Sequence, residues 1–123
     1  YRRSIIKGLD NDLINEQINI LMNEEGIFRD YELKLNDLAK RLSLTPHQLS
    51  HFLNEKHNKS FPNFINAFRI EEAKKMLIAN PEQSVISICF HVGFSSKSAF
   101  NAAFRKSTGQ SPIEYREKTS SPE

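Results

Sequence analysis

A single cysteine, Cys89, leaves this chain without any possible intrachain disulfide. Cys89 lies on an apolar stripe and reads as a small buried hydrophobe, a composition that fits a reducing cytoplasm. No apolar run approaches the roughly 20 residues needed to cross a bilayer, and no signal-peptide pattern is present. Gly-rich phosphate loops, paired catalytic carboxylates and nucleophile–base spacings are all missing, so neither enzyme chemistry nor a cofactor is assigned. His47 and His51 stand at the i, i+4 spacing that can hold zinc. The metalloprotease pattern needs Glu at position 48, however, where this chain has Gln48, and no third ligand is evident, so no metal is assigned. One-sided charge is lacking too. A formal net charge of +2 does not by itself mark a nucleic-acid binder.

The distribution of charge says more than its total. Residues 1–33 carry four Lys/Arg against seven Asp/Glu, whereas residues 34–118 carry thirteen against seven, and Glu123 closes the chain. The later part is the basic one, which suits a surface facing phosphate; a salt-bridged solvent face would give the same count. At 123 residues the chain has room for one domain, or for two very small subdomains sharing a helix. It opens at Tyr1, which reads as a piece of something longer.

The organising stretch runs from Ser84 to Arg116. Val85, Ile88, Cys89 and Val92 recur at three, four and seven residues, one stripe of a short helix. Gly93 permits a sharp turn, Ser95-Ser96 offers a hydroxyl cap, and a second helix follows through Lys106. That helix buries Phe100, Ala103 and Phe104 and leaves Lys97, Ser98, Asn101 and Ala102 outside. Such a layout is a helix-turn-helix. A degenerate copy lies upstream. A shift of 51 sets Leu49 on Phe100, Ser50 on Asn101 and Leu53 on Phe104, while a shift of 50 sets Leu38-Ala39 on Ile88-Cys89 and Leu42 on Val92.

Taken in order, residues 1–12 read as a linker from a preceding region. Asp10 or Asp12 caps a helix from Leu13 to about Glu25 that buries Ile14, Ile18, Leu21 and Met22, and Gly26 ends it. Ile27 to Lys34 is a connection, with Phe28 and Tyr31 packing under the first unit. Leu35, Leu38, Ala39 and Leu42 stripe the next helix. Thr45-Pro46-His47-Gln48 is a capping box with Pro at N1. It starts a helix that turns Leu49, Phe52 and Leu53 inward and His47, Gln48, Ser50 and His51 outward, and that Asn58 closes. Ser60 caps a long helix from Phe61 to Ala79, striped by Phe64, Ile65, Phe68, Met76 and Leu77 and stopped by Asn80-Pro81. Nineteen residues span roughly 28 Å. A bar of that length holds the two outer helices about one duplex turn, roughly 34 Å, apart. Ser111-Pro112-Ile113-Glu114 is a second capping box, and residues 119–123 form a frayed tail. The units span about 35–57 and 84–106 within an all-α domain of residues 13–118.

From about Leu33 to Arg116 the chain resembles the DNA-binding domain of the AraC/XylS family of bacterial transcription regulators. The likeness rests on Ile88-Cys89, Val92-Gly93-Phe94, Phe100, Phe104-Arg105-Lys106, Gly109, Ser111-Pro112 and Tyr115-Arg116. Leu38-Ala39, Thr45, Leu49-Ser50, Phe64-Ile65, Arg69 and Glu72-Ala73 extend it upstream. The stretches LSHFLNE, FINAFRIEEAK and KSAFNAAFRKSTG are similar to regulators of Bacteroidetes-type bacteria, where the domain often ends a membrane-anchored or sensor-linked protein. The resemblance implies seven helices forming two helix-turn-helix subdomains joined by a linker helix, with helices three and six as readers. Transferred to this chain, it offers His47, Gln48, Ser50 and His51 from the first reader, and Lys97, Ser98, Asn101 and Ala102 from the second, to base edges. Lys97 suits guanine O6 and N7, a simple phosphate contact being equally compatible; Asn101 suits adenine. Ala102 replaces a long side chain common in the family and offers only apolar contact. Ile86, polar in many members, is either buried or a contact to the region not present. Lys40, Arg41, Lys59, Arg105 and Lys106 read as phosphate ligands, aided by the helix starts after Ser60 and Ser111. Protonation of His47 and His51 would add positive charge to this face. The expected partners are double-stranded DNA, RNA polymerase and an N-terminal sensor or dimerisation region. The alternative is a helical module docking an acidic protein.

Overall fold

Five of the helices begin where a hydroxyl accepts from a backbone donor of the first turn, at Thr45, Ser60, Ser84, Ser96 and Ser111, and those caps set the frame of the fold. The computed structural model describes residues 11–120, among which there are seven α-helices and no strand. Helix α1 spans Asn11–Asn19 and runs on through a wider π-type turn, Ile20–Glu24. The chain is thus already helical at Asn11, two residues ahead of the expected start. Asp12 lies inside the first turn, where its charge complements the helix dipole, rather than at the cap. Asp10 and the rest of residues 1–10 fall outside the described residues. Gly26 leaves the helix at φ 65°, and a single 3-10 turn follows at Ile27–Arg29. Phe28 is buried there, but Tyr31 is 62% exposed and packs under nothing.

Helix α2, Leu35–Arg41, starts with the Asp37 carboxylate accepting from Lys34 N at 2.9 Å. Helix α3, Pro46–Phe52, carries the expected box: Gln48 N donates to Thr45 Oγ1 at 3.1 Å and Thr45 N to Gln48 Oε1 at 2.9 Å. A π-type turn, Leu53–His57, extends it to Asn58, which closes it at φ 53°. Helix α4 spans Phe61–Ala79. Helix α5, Val85–His91, is capped by Ser84, and α6, Lys97–Thr108, by Ser96. The latter outruns the expected Lys106 by two residues because Gly109, at φ 77°, is the first to leave the helical region. Helix α7, Pro112–Ser120, likewise takes in Thr119 and Ser120, which the sequence left in a frayed tail; residues 121–123 fall outside the described residues.

The internal repeat is visible in the packing. Residues 31–40 and 81–90 alternate between buried and exposed in the same order, position by position. Ser43 (φ 58°) and Gly93 (φ 113°) occupy matching places in the two turns, so the first copy takes its left-handed step without a glycine. Each copy has its own core. Leu38, Leu49 and Leu53 join Ile18, Met22 and Phe28 in one; Ile88, Val92, Phe100 and Phe104 form the other.

Helix α4 belongs to both cores, through different sides. Phe64 and Ile65 close the first core, with Phe68 packed against it, while Ile70, Ala73 and Leu77 close the second. At about 100° per residue these two sets point roughly 170° apart around the axis. One stripe does not describe this helix: Phe68 and Met76 are only half-buried, and Ile70 and Ala73, absent from the expected stripe, are fully inside. The two units therefore sit on opposite sides of a shared rod, one at each end. Arg116 fixes the far end, donating from Nε to the Leu77 carbonyl at 2.9 Å and from Nη2 to those of Asn80 and Gln83 at 3.1 and 2.8 Å. A cation there satisfies carbonyls that the helix leaves open.

Candidate nucleic-acid interface

The outer faces of α3 and α6 follow from what their inner faces bury. Leu49 and Phe52, and Phe100 and Phe104, fix the rotation of each helix about its axis. In α3 this leaves His47, Gln48 and His51 exposed and Ser50 half-buried; in α6 it leaves Lys97, Ser98 and Ala102 exposed and Asn101 half-buried. Each helix thus gathers its four outward candidates on one face. Two amides among them differ. The Asn101 side chain makes no hydrogen bond to another described residue, so its oxygen and NH₂ are both open. The Oε1 of Gln48 is taken by Thr45 N in the capping box. Reading adenine uses oxygen and nitrogen together, and with Gln48 Oε1 already accepting one bond in its cap, Asn101 is the freer of the two amides for that contact.

The cations fall into three groups. Lys40, Lys59, Arg105 and Lys106 are exposed. Arg41 is exposed as well but bonds the Glu25 carboxylate at 2.7 Å, with both side chains about half accessible. Such a surface pair is worth only ~0–1 kcal/mol, little enough for a phosphate to displace. Arg69 and Arg116 are spent within the fold, and the sequence marks them only as members of a familiar pattern.

The two helix starts named for phosphate differ. Ser60 Oγ accepts from Asn63 N at a long 3.4 Å. At α7, Ser111 Oγ accepts from Glu114 N at 3.1 Å while Ser111 N donates to the Glu114 carboxylate at 2.9 Å. That bond, with the nearby charges of Arg105 and Lys118, holds the Glu114 carboxyl below the usual carboxylate range. An ionised carboxylate occupies the position a phosphate would take, and Pro112 has no N–H to offer.

Other expected features are placed as follows. Cys89 is buried, its Sγ 3.6 Å from the Ser96 carbonyl, and burial pushes its thiol pKa up, away from reactivity. Ile86 is 39% exposed, so of its two readings burial is excluded. No cluster of three or more His, Cys, Asp or Glu side chains suited to a metal occurs among the described residues. No described helix is long and apolar enough to cross a membrane.

The model of a helix-turn-helix domain family matches residues 38–118. The Msm operon regulatory protein of Streptococcus mutans is 34% identical over 103 residues, covering 84% of this chain and 35% of that protein. The C-terminal domain of AraT, a response regulator from Geobacillus stearothermophilus, superposes with a TM-score of 0.67 at 30% identity, over 74% of each chain. The DNA-binding domain of AdpA, solved in complex with a target DNA, gives a TM-score of 0.74 over 85% of this chain and 90% of that one; at 19% identity it speaks for the fold alone. The chain spans between 14% and 40% of the length of the curated relatives it matches. With the family model covering both turns and α4, this chain belongs to the AraC-type family of helix-turn-helix domains.

Proposed function

We propose that this chain is the part of a bacterial transcription regulator that reads double-stranded DNA, with α3 and α6 entering successive major grooves. The observation that carries the reading is the duplication itself: two units of matched burial, about 35–57 and 84–106, flank a rod of 19 residues. Its length of roughly 28 Å approaches the rise of one duplex turn. His47, Ser50, His51, Lys97, Ser98, Asn101 and Ala102 face base edges, with Gln48 beside them. Lys40, Lys59, Arg105 and Lys106 hold phosphates, with Arg41 released from Glu25 to join them and Ser60 opening a helix start. Ser111 acts through the cap that positions α7. The relatives' greater length supports a preceding sensor or dimerisation region as a partner. RNA polymerase is the second proposed partner, and the cytoplasm the compartment.

Titration of a duplex selected from a random pool, against unselected duplex, tests the assignment. Lys97→Ala and Asn101→Ala should each cost about 1–3 kcal/mol on the selected site and little on random DNA. Lys106→Ala should weaken both equally. Identical affinities of the Lys97 and Asn101 variants for every duplex would remove the base-reading role.

A further inference from the structure

We infer that Arg69 is the positioning residue that sets the angle and distance between the two helix-turn-helix units, and with them the half-site spacing the domain accepts; the last step rests on the DNA reading above. Arg69 stands near the middle of α4, between the stretch that closes the first core and the stretch that closes the second. Its guanidinium donates to the Phe28 carbonyl from Nε at 2.7 Å, to the Asp30 carbonyl from Nη2 at 3.0 Å, and to Asn66 Oδ1 from Nη1 at 3.1 Å. Its Cζ lies 5.7 Å from the centre of the Phe94 ring, within cation–π range. Phe28 belongs to the first core and Phe94 to the second, so one side chain touches both.

The second unit comes to Arg69 at its turn. A Cβ added to Gly93 would lie 2.5 Å from the Phe28 carbonyl oxygen, 2.8 Å from Arg69 Nε and 3.0 Å from Arg29 Cα. Glycine is needed here for proximity as well as for its φ of 113°. The layers are thus the Gly26–Asp30 turn, the Arg69 guanidinium, and the Gly93–Phe94 turn. One helical step along, Glu72 grips Arg29 with two bonds of 2.9 and 2.7 Å, and His91 Nε2 lies 4.0 Å from it.

Beside this junction the units part. An open cleft of about 220 Å³ separates Tyr31, Leu33 and Phe61 from Phe94, Ser95 and Ala99, with Arg69 among its lining residues. Beside that cleft the two units are held by the junction at Arg69 and Gly93, by Glu72, and by the rod they share. Without the guanidinium, water can reach the freed carbonyls, and each unit keeps its own core; what goes is the guanidinium's share of their mutual restraint, with the rod, Glu72 and the Gly93 contact remaining.

The decisive measurement is the distance between the readers in the free 123-residue chain. Spin labels on His47→Cys and Ser98→Cys, in a Cys89→Ala background, report it by pulsed dipolar spectroscopy. The parent should give one narrow distribution, Arg69→Ala about twice its width, and Arg69→Lys, which keeps charge but not the three-way fork, a width between them. An unchanged width in Arg69→Ala overturns the inference whatever happens on DNA. If that variant fails to fold, Arg69→Lys decides, and a parental width in it overturns the inference equally. Selection from random duplexes tests the second step. The parent should lose roughly 100-fold when half-sites move by one or two base pairs, and Arg69→Ala less than about 10-fold, on the same half-site sequences. Retained spacing selectivity in Arg69→Ala overturns the link to spacing. A parent that enriches no sequence defeats the DNA reading, while the label distances still judge the hinge.

Discussion

His57 shows how one side chain ties the first unit to the helix before it. Its Nε2 lies 2.9 Å from Asn15 Oδ1, and its ring packs between those of Phe52 and Phe64, with centroids 5.7 and 5.0 Å away. Burial, with the charge of Lys59 adding to it, pushes its pKa below the ordinary 6.5. The folded value is therefore lower than the unfolded one, and between the two the unfolded chain binds more protons. Linkage then makes this part of the stability fully present above 6.5 and lost as the pH falls through the lowered value. The urea midpoint should accordingly drop between about pH 7.5 and about pH 5. His57→Gln keeps an amide NH₂ for Asn15 but does not titrate, so it should flatten that part of the slope. Equal slopes in the two chains would place the effect elsewhere. Neither the tie to Asn15 nor the lowered pKa is legible in the sequence, because the partners lie 42 residues apart and only folding brings them together.

At the scale of elements, the turns separate what local pattern can specify from what tertiary approach imposes. Caps and periodicity fix the helices: Thr45 with Gln48, Ser60, Ser84 and Ser96 each start one where the sequence puts a hydroxyl, and the inward faces of α3 and α6 follow from apolar spacing. The step at Ser43 carries no such mark, since a serine at positive φ has no glycine signature. Tyr31 misled because an aromatic residue is taken for core, and the role of Arg69 is not legible because its carbonyl partners lie about 40 residues away. Gly93 and Gly109 look alike in sequence, as two glycines after a helix, yet their surroundings differ. A Cβ at Gly109 meets nothing within 4 Å, whereas at Gly93 it runs into two backbone atoms and Arg69. Gly109→Ala should cost only the left-handed strain, about 1 kcal/mol. Gly93→Ala should cost that and the displacement of the Phe28–Arg29 backbone, together roughly 2–4 kcal/mol. Denaturant titration of both variants measures the difference. Equal losses would mean that the Gly26–Asp30 turn gives way freely and contributes no restraint.

For the molecule as a whole, the balance between attraction to phosphate and recognition of bases can be read from salt. A net charge of +2 attracts no polyanion strongly, so affinity must come from cations placed at the surface rather than from overall charge. Lys40, Lys59, Arg105 and Lys106 are exposed, while Arg69 and Arg116 are held inside and Arg41 is shared with Glu25. Four phosphate contacts release counterions such that log K should fall with log salt at a slope of about −3.6, and inclusion of Arg41 would bring it to about −4.5. Affinity should then drop on the order of 100-fold or more between about 50 and about 200 mM salt. Lys106→Ala should reduce the slope by about 0.9, whereas Asn101→Ala should lower affinity at every salt concentration and leave the slope unchanged. Fluorescence anisotropy over a salt series gives both quantities from one set of titrations. A slope near zero would mean that these lysines and Arg105 face something other than a phosphate backbone. An acidic protein surface, with far fewer condensed counterions to release, would then be the better partner for this face.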